Sequence, residues 1–206
     1  ILLQLNQAFP RLNRIASYAN GYNITSRSAA ELQELYRHKL RLIYIGLESG
    51  SQKVLDHCQK RSSVAEMVTA VRRAEESGIK SSVIVLLGLG GRKNSGTHVR
   101  DSITALNAMQ PRYLSFLSLM LIPGTELYQE AQRGEFEELN PGELLQEMHD
   151  IMAGLELRKT VFRSDHASNY LPLEGRLPQD KELLLRVMDE AIHGKTRLRP
   201  EFLRGL

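Results

Sequence analysis

The residues of this chain that are best suited to chemistry lie where short apolar segments end. Glu48 directly follows the apolar segment 42–47, and Lys60 lies twelve residues further along the chain. An isolated carboxylate is costly to bury. The two hydroxyls of a ribose are good partners for one, as in dinucleotide sites where an acidic residue binds the sugar. Lys60 has two interpretations: it supplies positive charge for a ligand carboxylate or phosphate, or it stabilises the C-terminal end of a helix.

Three more apolar segments end in residues that turn the chain, at 20–21, 88–91 and 122–124. Taken singly, most of these residues have a structural interpretation, since glycine and asparagine serve tight turns and serine caps helices. The loop 88–91 lacks the G-x-G-x-x-G pattern and is not followed directly by a predicted helix, so it does not predict a phosphate site. We expect the loop instead to present an exposed backbone edge that stacks on a flat base or hydrogen-bonds it.

The apolar segments alternate with stretches of helical periodicity, which is typical of parallel βα units. We predict four neighbouring parallel strands in chain order, at 14–20, 42–48, 80–89 and 114–122. The predicted helices between and after them cover 28–40, 52–59, 64–77, 98–109 and 126–133. Such units fit a doubly wound sheet or an arc of a β/α barrel equally well. Both folds place the chemistry at the carboxyl ends of the strands.

The alternation of apolar segments and helical stretches ends in the last third of the chain. We predict a long amphipathic helix at 141–157, an extended polar and aromatic stretch at 160–170 and a last helix at 179–193. We therefore divide the chain into a βα region, 1–135, and a helical and extended C-terminal region, 136–206, that packs on it.

The extended stretch contains four polar side chains with two interpretations. They close the strand-end face over a substrate, or they form a structural loop; the residues are Arg163, Asp165, His166 and Asn169. Asp165 and His166 do not predict a catalytic pair, because neighbours in an extended chain point to opposite faces.

Composition excludes several classes of protein. Of the 206 residues, 42% are hydrophobic and 25% charged, as in an ordinary globular domain. The longest apolar segments fall short of the about 20 residues that cross a bilayer, so we expect no membrane span. The net charge of +3 is not gathered on a dense basic face, so we do not expect nucleic-acid binding. The single cysteine, Cys58, excludes an internal disulfide and fits a reducing compartment, the cytoplasm.

Three blocks of sequence resemble the radical S-adenosylmethionine (SAM) superfamily. The block IYIGLESGSQKVLDHCQK at 43–60 is similar to the segment of its fourth strand, where G-L/V-E/Q-S-G-S is followed by a basic residue about a dozen positions on. VIVLLGLGG at 83–91 resembles its fifth strand, and LMLIPGTELY at 119–128 resembles its sixth. The resemblance covers roughly residues 10–135, and it is nearest to the branch of oxygen-independent coproporphyrinogen oxidases and methylthiotransferases.

The resemblance implies a fold and a reaction. The fold is α/β, with parallel βα units forming part of a (β/α)6 partial TIM barrel and a helical extension at the C-terminus. The reaction is the reductive cleavage of SAM by a [4Fe–4S] cluster to a 5′-deoxyadenosyl radical, which acts on a substrate that the sequence does not identify. Carried over position by position, Glu48 would hold the ribose hydroxyls and Lys60 the methionine carboxylate. Ser17 and Asn20 would lie beside the methionyl part.

The resemblance also places the adenine between two backbone segments, near Leu87-Gly88 and Ile122-Pro123. The sequence departs from the family pattern in one large respect, because the cluster-binding C-x3-C-x2-C motif and the glycine-rich second strand are absent. We therefore expect the cluster ligands in a missing N-terminal segment, and we expect this chain to begin after the second strand and to be inactive by itself. An exposed strand edge at 14–20 would then favour self-association. The rival interpretation is a non-catalytic βα domain that binds a nucleotide or a partner.

Overall fold

The structure is a computed structural model that describes residues 1–205, and within them it contains one six-stranded sheet. Its strands lie side by side in chain order: β1 (Ile15–Tyr18), β2 (Leu40–Glu48), β3 (Lys80–Leu87), β4 (Tyr113–Ser118), β5 (Thr160–Ser164) and β6 (Leu173–Leu177). Strands β1 to β5 are parallel, and β6 is antiparallel to β5. The four predicted parallel strands and their order are confirmed.

Helices connect the parallel strands, as the alternation predicted. The helices of the described residues are α1 (Leu2–Ala8), α2 (Gly21–Thr25), α3 (Ala29–Arg37), α4 (Gln52–His57), α5 (Val64–Glu76), α6 (Gly91–Met109), α7 (Glu126–Gln132), α8 (Pro141–Gly154) and α9 (Lys181–Ile192), with a 3-10 turn at Glu201–Leu203. Of these, α2 to α8 lie between the parallel strands. Among the described residues, none of these helices is both long enough and apolar enough to pass through a membrane.

The two faces of the central strands differ in burial. One face is covered by helices, and its residues Ile43, Ile45 and Val83 are at most 1% exposed. The other face, which includes Tyr44 and Ile84, is half-buried. A continuous apolar segment such as 42–47 is typical of a strand covered on both faces, so this half-buried face differs from what the sequence indicates. The half-buried face also carries Gly46 and Glu48, so it leads directly to the strand end where the chemistry was expected.

Two helix or strand boundaries differ from the prediction by four residues or more. Helix α6 begins at Gly91 and not near residue 98, so the glycine loop does open directly into a helix. The polar residues of its first turns resemble a loop in sequence, but the Arg92 side chain forms ion pairs with Glu137 and Glu143. Strand β4 ends at Ser118 rather than at residue 122, and the resemblance block 119–128 therefore begins after the strand.

The C-terminal residues join the same sheet and core. Strand β5 confirms the first part of the extended stretch 160–170, whereas β6 was not predicted. Phe162 of β5 packs edge-to-face on Phe116 of β4, with ring centroids 5.1 Å apart. Leu144 and Met148 of α8 lie in one apolar cluster with Ile43. The division of the chain at residue 135 stays a prediction, and Leu206 lies outside the described residues.

The polar side chain of Asn169 has a structural role. It is fully buried, its Nδ2 donates to the carbonyl oxygens of Phe116 (2.7 Å) and Ser164 (3.0 Å), and its Oδ1 accepts from the Ser118 hydroxyl. These bonds fasten the turn after β5 to the end of β4. They favour the structural interpretation of this residue over closure on a substrate.

Strand β1 forms one edge of the sheet and pairs with β2. Ala16, Ser17 and Tyr18 are exposed, and the Tyr18 ring lies 5.4 Å from that of Tyr44 between centroids. An edge strand with unpaired backbone groups is a template for another strand. Self-association through this edge stays a prediction.

Candidate functional site

The candidate site lies at the carboxyl end of β2, where the backbone changes direction at Glu48. Its φ of +61° is left-handed, a conformation that non-glycine residues adopt at a cost. The pairing register with β3 shifts between Gly46 and Glu48, so the strand bulges at its end. Bulges and strained residues of this kind re-aim side chains and concentrate at functional sites.

Gly46 provides the space for the Glu48 carboxylate. A Cβ at Gly46 would lie 2.3 Å from Glu48 Oε1, a distance at which one of the two must move. Because both residues lie on the half-buried face of the sheet, the carboxylate folds back over the backbone of its own strand. The side chain remains 22% exposed and is therefore accessible to a ligand.

The loop that follows Glu48 is fastened to α6. The Ser49 hydroxyl lies 2.8 Å from His98 Nδ1, and the Gly50 N–H donates to the Ser102 hydroxyl at 2.9 Å. A Cβ at Gly50 would meet the Asp101 carbonyl oxygen at 2.3 Å, so only glycine allows this approach. Ser51 is the N-cap residue of α4, but its side chain makes no capping hydrogen bond. The G-L-E-S-G-S segment thus has a specific contact at nearly every position.

Lys60 faces Glu48 across a small cavity. Its Nζ lies 3.5 Å from Glu48 Oε1, although it follows α4 by three residues. The cavity has a volume of about 240 Å³ and is bordered by ten residues, Ala19, Asn20, Gly46, Leu47, Glu48, Leu55, Lys60, Arg61, Ser62 and Met67. Lys60 thus pairs with Glu48, and its role in binding a ligand stays a prediction.

Of the two residues expected beside the methionyl part, Asn20 borders this cavity and Ser17 does not. Asn20 is also the N-cap of α2, and its Oδ1 accepts the Asn23 N–H at 2.8 Å. Ser17 is exposed on β1, and its hydroxyl donates to the Tyr18 carbonyl oxygen at 3.0 Å. The structure therefore brings Asn20, Glu48 and Lys60 together.

Gly88 is buried, and its backbone N–H is already used. It donates to Glu147 Oε1 of α8 at 2.6 Å, and its φ of +82° requires glycine. A Cβ there would also lie 2.9 Å from Leu144 Cδ2. Gly88 therefore has no free N–H group for a ligand, and the loop 88–91 is buried and is not the exposed backbone edge that the sequence predicted.

Ile122 and Pro123 lie in the loop between β4 and α7 and are exposed. The Ile122 carbonyl oxygen accepts from the backbone and hydroxyl of Thr125, which caps α7. Neither residue borders the cavity at Glu48. An adenine that reached this loop would extend along the strand ends, away from the cavity.

A metal cluster finds few ligands in this part of the protein. Cys58 is the only cysteine in the sequence, and burial raises the pKa of its thiol. Within residues 1–205, no group of three or more His, Cys, Asp or Glu side chains is placed to hold a metal ion. The described residues therefore do not fit a [4Fe–4S] cluster, which needs three or four thiolates.

Two buried residues beside the site were not found from the sequence. His98 lies on the buried face of α6 with Ser102 and Ala105, and Glu147 lies among apolar residues of α8. The sequence does contain a signal for Glu147, which is three residues after Leu144 and four before Ile151 and so falls on the apolar face of an amphipathic helix.

Comparison with known proteins identifies the family of the strands that carry this site. The family model described as the radical SAM superfamily matches residues 2–102, which include β1, β2, β3 and their strand ends. Solved structures of radical SAM proteins share the fold. Residues 2–102 therefore belong to a radical SAM superfamily domain.

Three proteins illustrate the relationship. An uncharacterized protein of Methanocaldococcus jannaschii, MJ0486, is 24% identical over 139 residues, which cover 68% of this chain and 38% of that protein. The structure of Elp3 from Methanocaldococcus infernus superposes with a TM-score of 0.63 at 18% identity, covering 89% of this chain and 43% of that one. Coproporphyrinogen III oxidase from Escherichia coli, a radical SAM enzyme, gives a TM-score of 0.54 at 12% identity, covering 74% and 36%. The chain spans less than half the length of each.

Membership in this family implies SAM and a [4Fe–4S] cluster as cofactors. The site fits an adenosyl ligand with a charged tail. It combines an accessible carboxylate, a facing ammonium group and a glycine whose missing Cβ leaves space for the carboxylate. Paired hydroxyls and a carboxylate are the groups that such a site recognises.

Proposed function

We propose that this chain forms the SAM-binding strand ends of a radical SAM enzyme, with Glu48 and Lys60 as the principal ligand-binding residues. The observation that carries the proposal is Glu48 itself, a strained residue at a strand bulge whose carboxylate lies over Gly46 and faces Lys60. When the cluster and SAM are bound, they supply a 5′-deoxyadenosyl radical. The residues of this chain bind and orient SAM.

Glu48 accepts the two ribose hydroxyls, and Lys60 binds the methionine carboxylate. To do so, the two side chains must exchange their 3.5 Å ion pair for contacts with two different groups of one ligand. An ion pair of this exposure contributes about 1 kcal/mol or less. Hydrogen bonds to a charged group contribute about 1.5–3 kcal/mol each, so the exchange is favourable.

The other predicted residues have smaller roles in this proposal. Asn20 borders the cavity on the side of the methionyl group, and Ser17 lies further along β1. The backbone at Gly88 and the loop at Ile122 and Pro123 border the adenine.

The cluster is held by residues other than those described here, because one thiol cannot replace three. We propose that the enzyme is oxidoreductase-like and that it acts in the cytoplasm, where a cysteine such as Cys58 stays reduced. The substrate is chosen by surfaces other than the strand ends of β2 and β3. The chain without its cluster is inactive.

The experiment that tests this function is an anaerobic turnover assay. The native-length protein, reconstituted with iron and sulfide, is incubated with SAM and dithionite, and 5′-deoxyadenosine is measured by chromatography. We expect its formation to depend on the cluster and to fall at least tenfold in Glu48→Ala, but not in the matched surface variant Glu76→Ala on α5. Formation that is independent of Glu48 would contradict the assignment.

A further inference from the structure

A closed set of buried polar side chains connects the ends of β2 and β3 to helices α6 and α8. Ser49 and His98 are fully buried, and Glu147 is 2% exposed. Glu147 Oε1 accepts the Gly88 N–H, and its Oε2 accepts the Ser95 hydroxyl. A buried carboxylate is costly unless its oxygens are hydrogen-bonded, so this arrangement is specific rather than incidental.

The hydrogen bonds of Ser49 determine the tautomer of His98. The Ser49 oxygen accepts the Ser51 N–H at 3.0 Å, and among the described residues His98 Nδ1, 2.8 Å away, is the atom placed to accept the Ser49 hydroxyl proton. Nδ1 is then an acceptor, and the ring proton lies on Nε2. Burial lowers the pKa of His98 to about 4, so the ring is neutral near pH 7.

The proton on His98 Nε2 is directed toward α8. Nε2 has no hydrogen-bond partner among the described residues, and the atom that faces it is Glu147 Oε1 at 3.7 Å. The order Ser, His, Glu resembles a hydrolase triad, but a nucleophile must be reachable by its substrate. Ser49 is inaccessible, and its oxygen is occupied by the Ser51 N–H.

We propose that His98 and Glu147 are positioning residues for SAM binding, acting through Ser49 and Gly88 respectively. His98 fixes the residue that follows Glu48 and thereby holds Glu48 in its left-handed conformation. Glu147 fixes the β3 loop from α8, which lies outside the residues matched by the family model. This inference rests on the proposed function, because it assigns a purpose to the geometry of the same site.

Two amide substitutions of His98 separate its two contacts. In His98→Asn the side-chain oxygen takes the place of Nδ1 and keeps the acceptor for Ser49. In His98→Gln the side-chain amide takes the place of Nε2. This variant keeps a polar group facing Glu147 and loses the acceptor for Ser49. The surface histidine His193 provides a matched control, His193→Gln.

The first measurement is calorimetric titration of SAM into the reconstituted native-length protein. We expect the Kd to rise at least tenfold in His98→Gln and less than threefold in His98→Asn and His193→Gln. Equal affinities in His98→Gln and His193→Gln would overturn the inference alone. No SAM binding by the unmodified protein would overturn the proposed function and this inference with it.

The second measurement does not depend on SAM. Hydrogen exchange of the peptides containing Gly50 and Ser51, and of the peptide containing Gly88, reports the two loops directly. We expect about tenfold faster exchange at Ser51 in His98→Gln, and at Gly88 in Glu147→Ala but not in Glu147→Gln, which keeps an acceptor. Unchanged exchange in His98→Gln and Glu147→Ala, with the fold intact by circular dichroism, would overturn the positioning role.

Discussion

Glu48 combines an unfavourable backbone conformation with an accessible carboxylate. At a φ of +61° its Cβ is crowded, and the neighbouring residues compensate by fixing the loop to α6. Such strain is retained where the side chain has a function, because a glycine would otherwise be preferred at this position. The conformation therefore supports a ligand-binding role independently of the ion pair with Lys60.

The strain predicts an unusual order of stability. Glu48→Gly and Glu48→Ala both lack the carboxylate, but we expect Glu48→Gly to have the higher free energy of unfolding, by about 1 kcal/mol, because glycine adopts positive φ readily. Urea denaturation measures the difference. At Glu34, within α3, the same pair of variants should show the opposite order, with alanine more stable by about 1 kcal/mol. The same order at both positions would contradict strain at Glu48.

The substitution Gly46→Ala tests whether the Glu48 carboxylate needs the space that a glycine leaves at position 46. In Gly46→Ala the new methyl group would lie 2.3 Å from Glu48 Oε1 and would displace it, so we expect SAM affinity to fall about tenfold or more. The control is Gly96→Ala in α6, where nothing lies within 4 Å of the new Cβ. That variant should keep its affinity and gain up to about 1 kcal/mol of stability. Calorimetric titration with SAM and thermal unfolding distinguish the two; unchanged affinity in Gly46→Ala would contradict the geometry of the site.

At the scale of elements, the contact between the β2–α4 loop and α6 depends on Gly50. Its Cβ position lies 2.3 Å from a backbone oxygen of Asp101, which cannot move as a side chain does. We expect Gly50→Ala to destabilise the protein by several kcal/mol, about 3 or more, since overpacking against backbone forces elements apart. Gly142→Ala near the start of α8 has its nearest atom at 3.4 Å and should be nearly neutral. Denaturant titration of both variants provides the comparison.

The elements that sequence predicted best are those with a strong local pattern. Strands β2 and β3 each contain a long apolar segment, and the end of β2 could be located closely enough to identify Glu48 as a strand-end carboxylate. The start of α6 was missed because its polar first turns are stabilised by Arg92 binding glutamates 45 and 51 residues away. His98 was missed for the same reason, since its partner Ser49 lies 49 residues away in the sequence. Contacts between distant segments leave no local pattern to read.

At the scale of the whole molecule, the buried His98 couples stability to pH. Its pKa of about 4 in the folded protein lies below the about 6.5 of an unfolded histidine. The unfolded chain therefore binds a proton that the folded protein excludes, and the free energy of unfolding falls as the pH decreases from about 6.5 to 4. The charged groups that face the ring are Asp101 of α6, which opposes the shift, and Glu147 of α8, whose own pKa is raised by burial.

The pH dependence is measured by comparing the unmodified protein with His98→Asn, which keeps Asp101 and Glu147. We expect the unmodified protein to lose up to about 3 kcal/mol more than the variant between pH 6.5 and 4, taking about 1.36 kcal/mol per pKa unit. Urea denaturation at several pH values gives the two curves. Parallel curves would show that His98 is not held neutral by burial.

The central claim is that the carboxyl end of β2 binds SAM through Glu48 and Lys60. Its most direct test is the Kd of SAM, measured by calorimetry for the reconstituted native-length protein and its variants. We predict a rise of about ten- to a hundredfold in Glu48→Ala. In Lys60→Ala we predict a smaller rise of about fivefold, which shrinks as salt is added. If Glu48→Ala binds SAM as tightly as Glu76→Ala, the assignment of this strand end to the ribose is wrong.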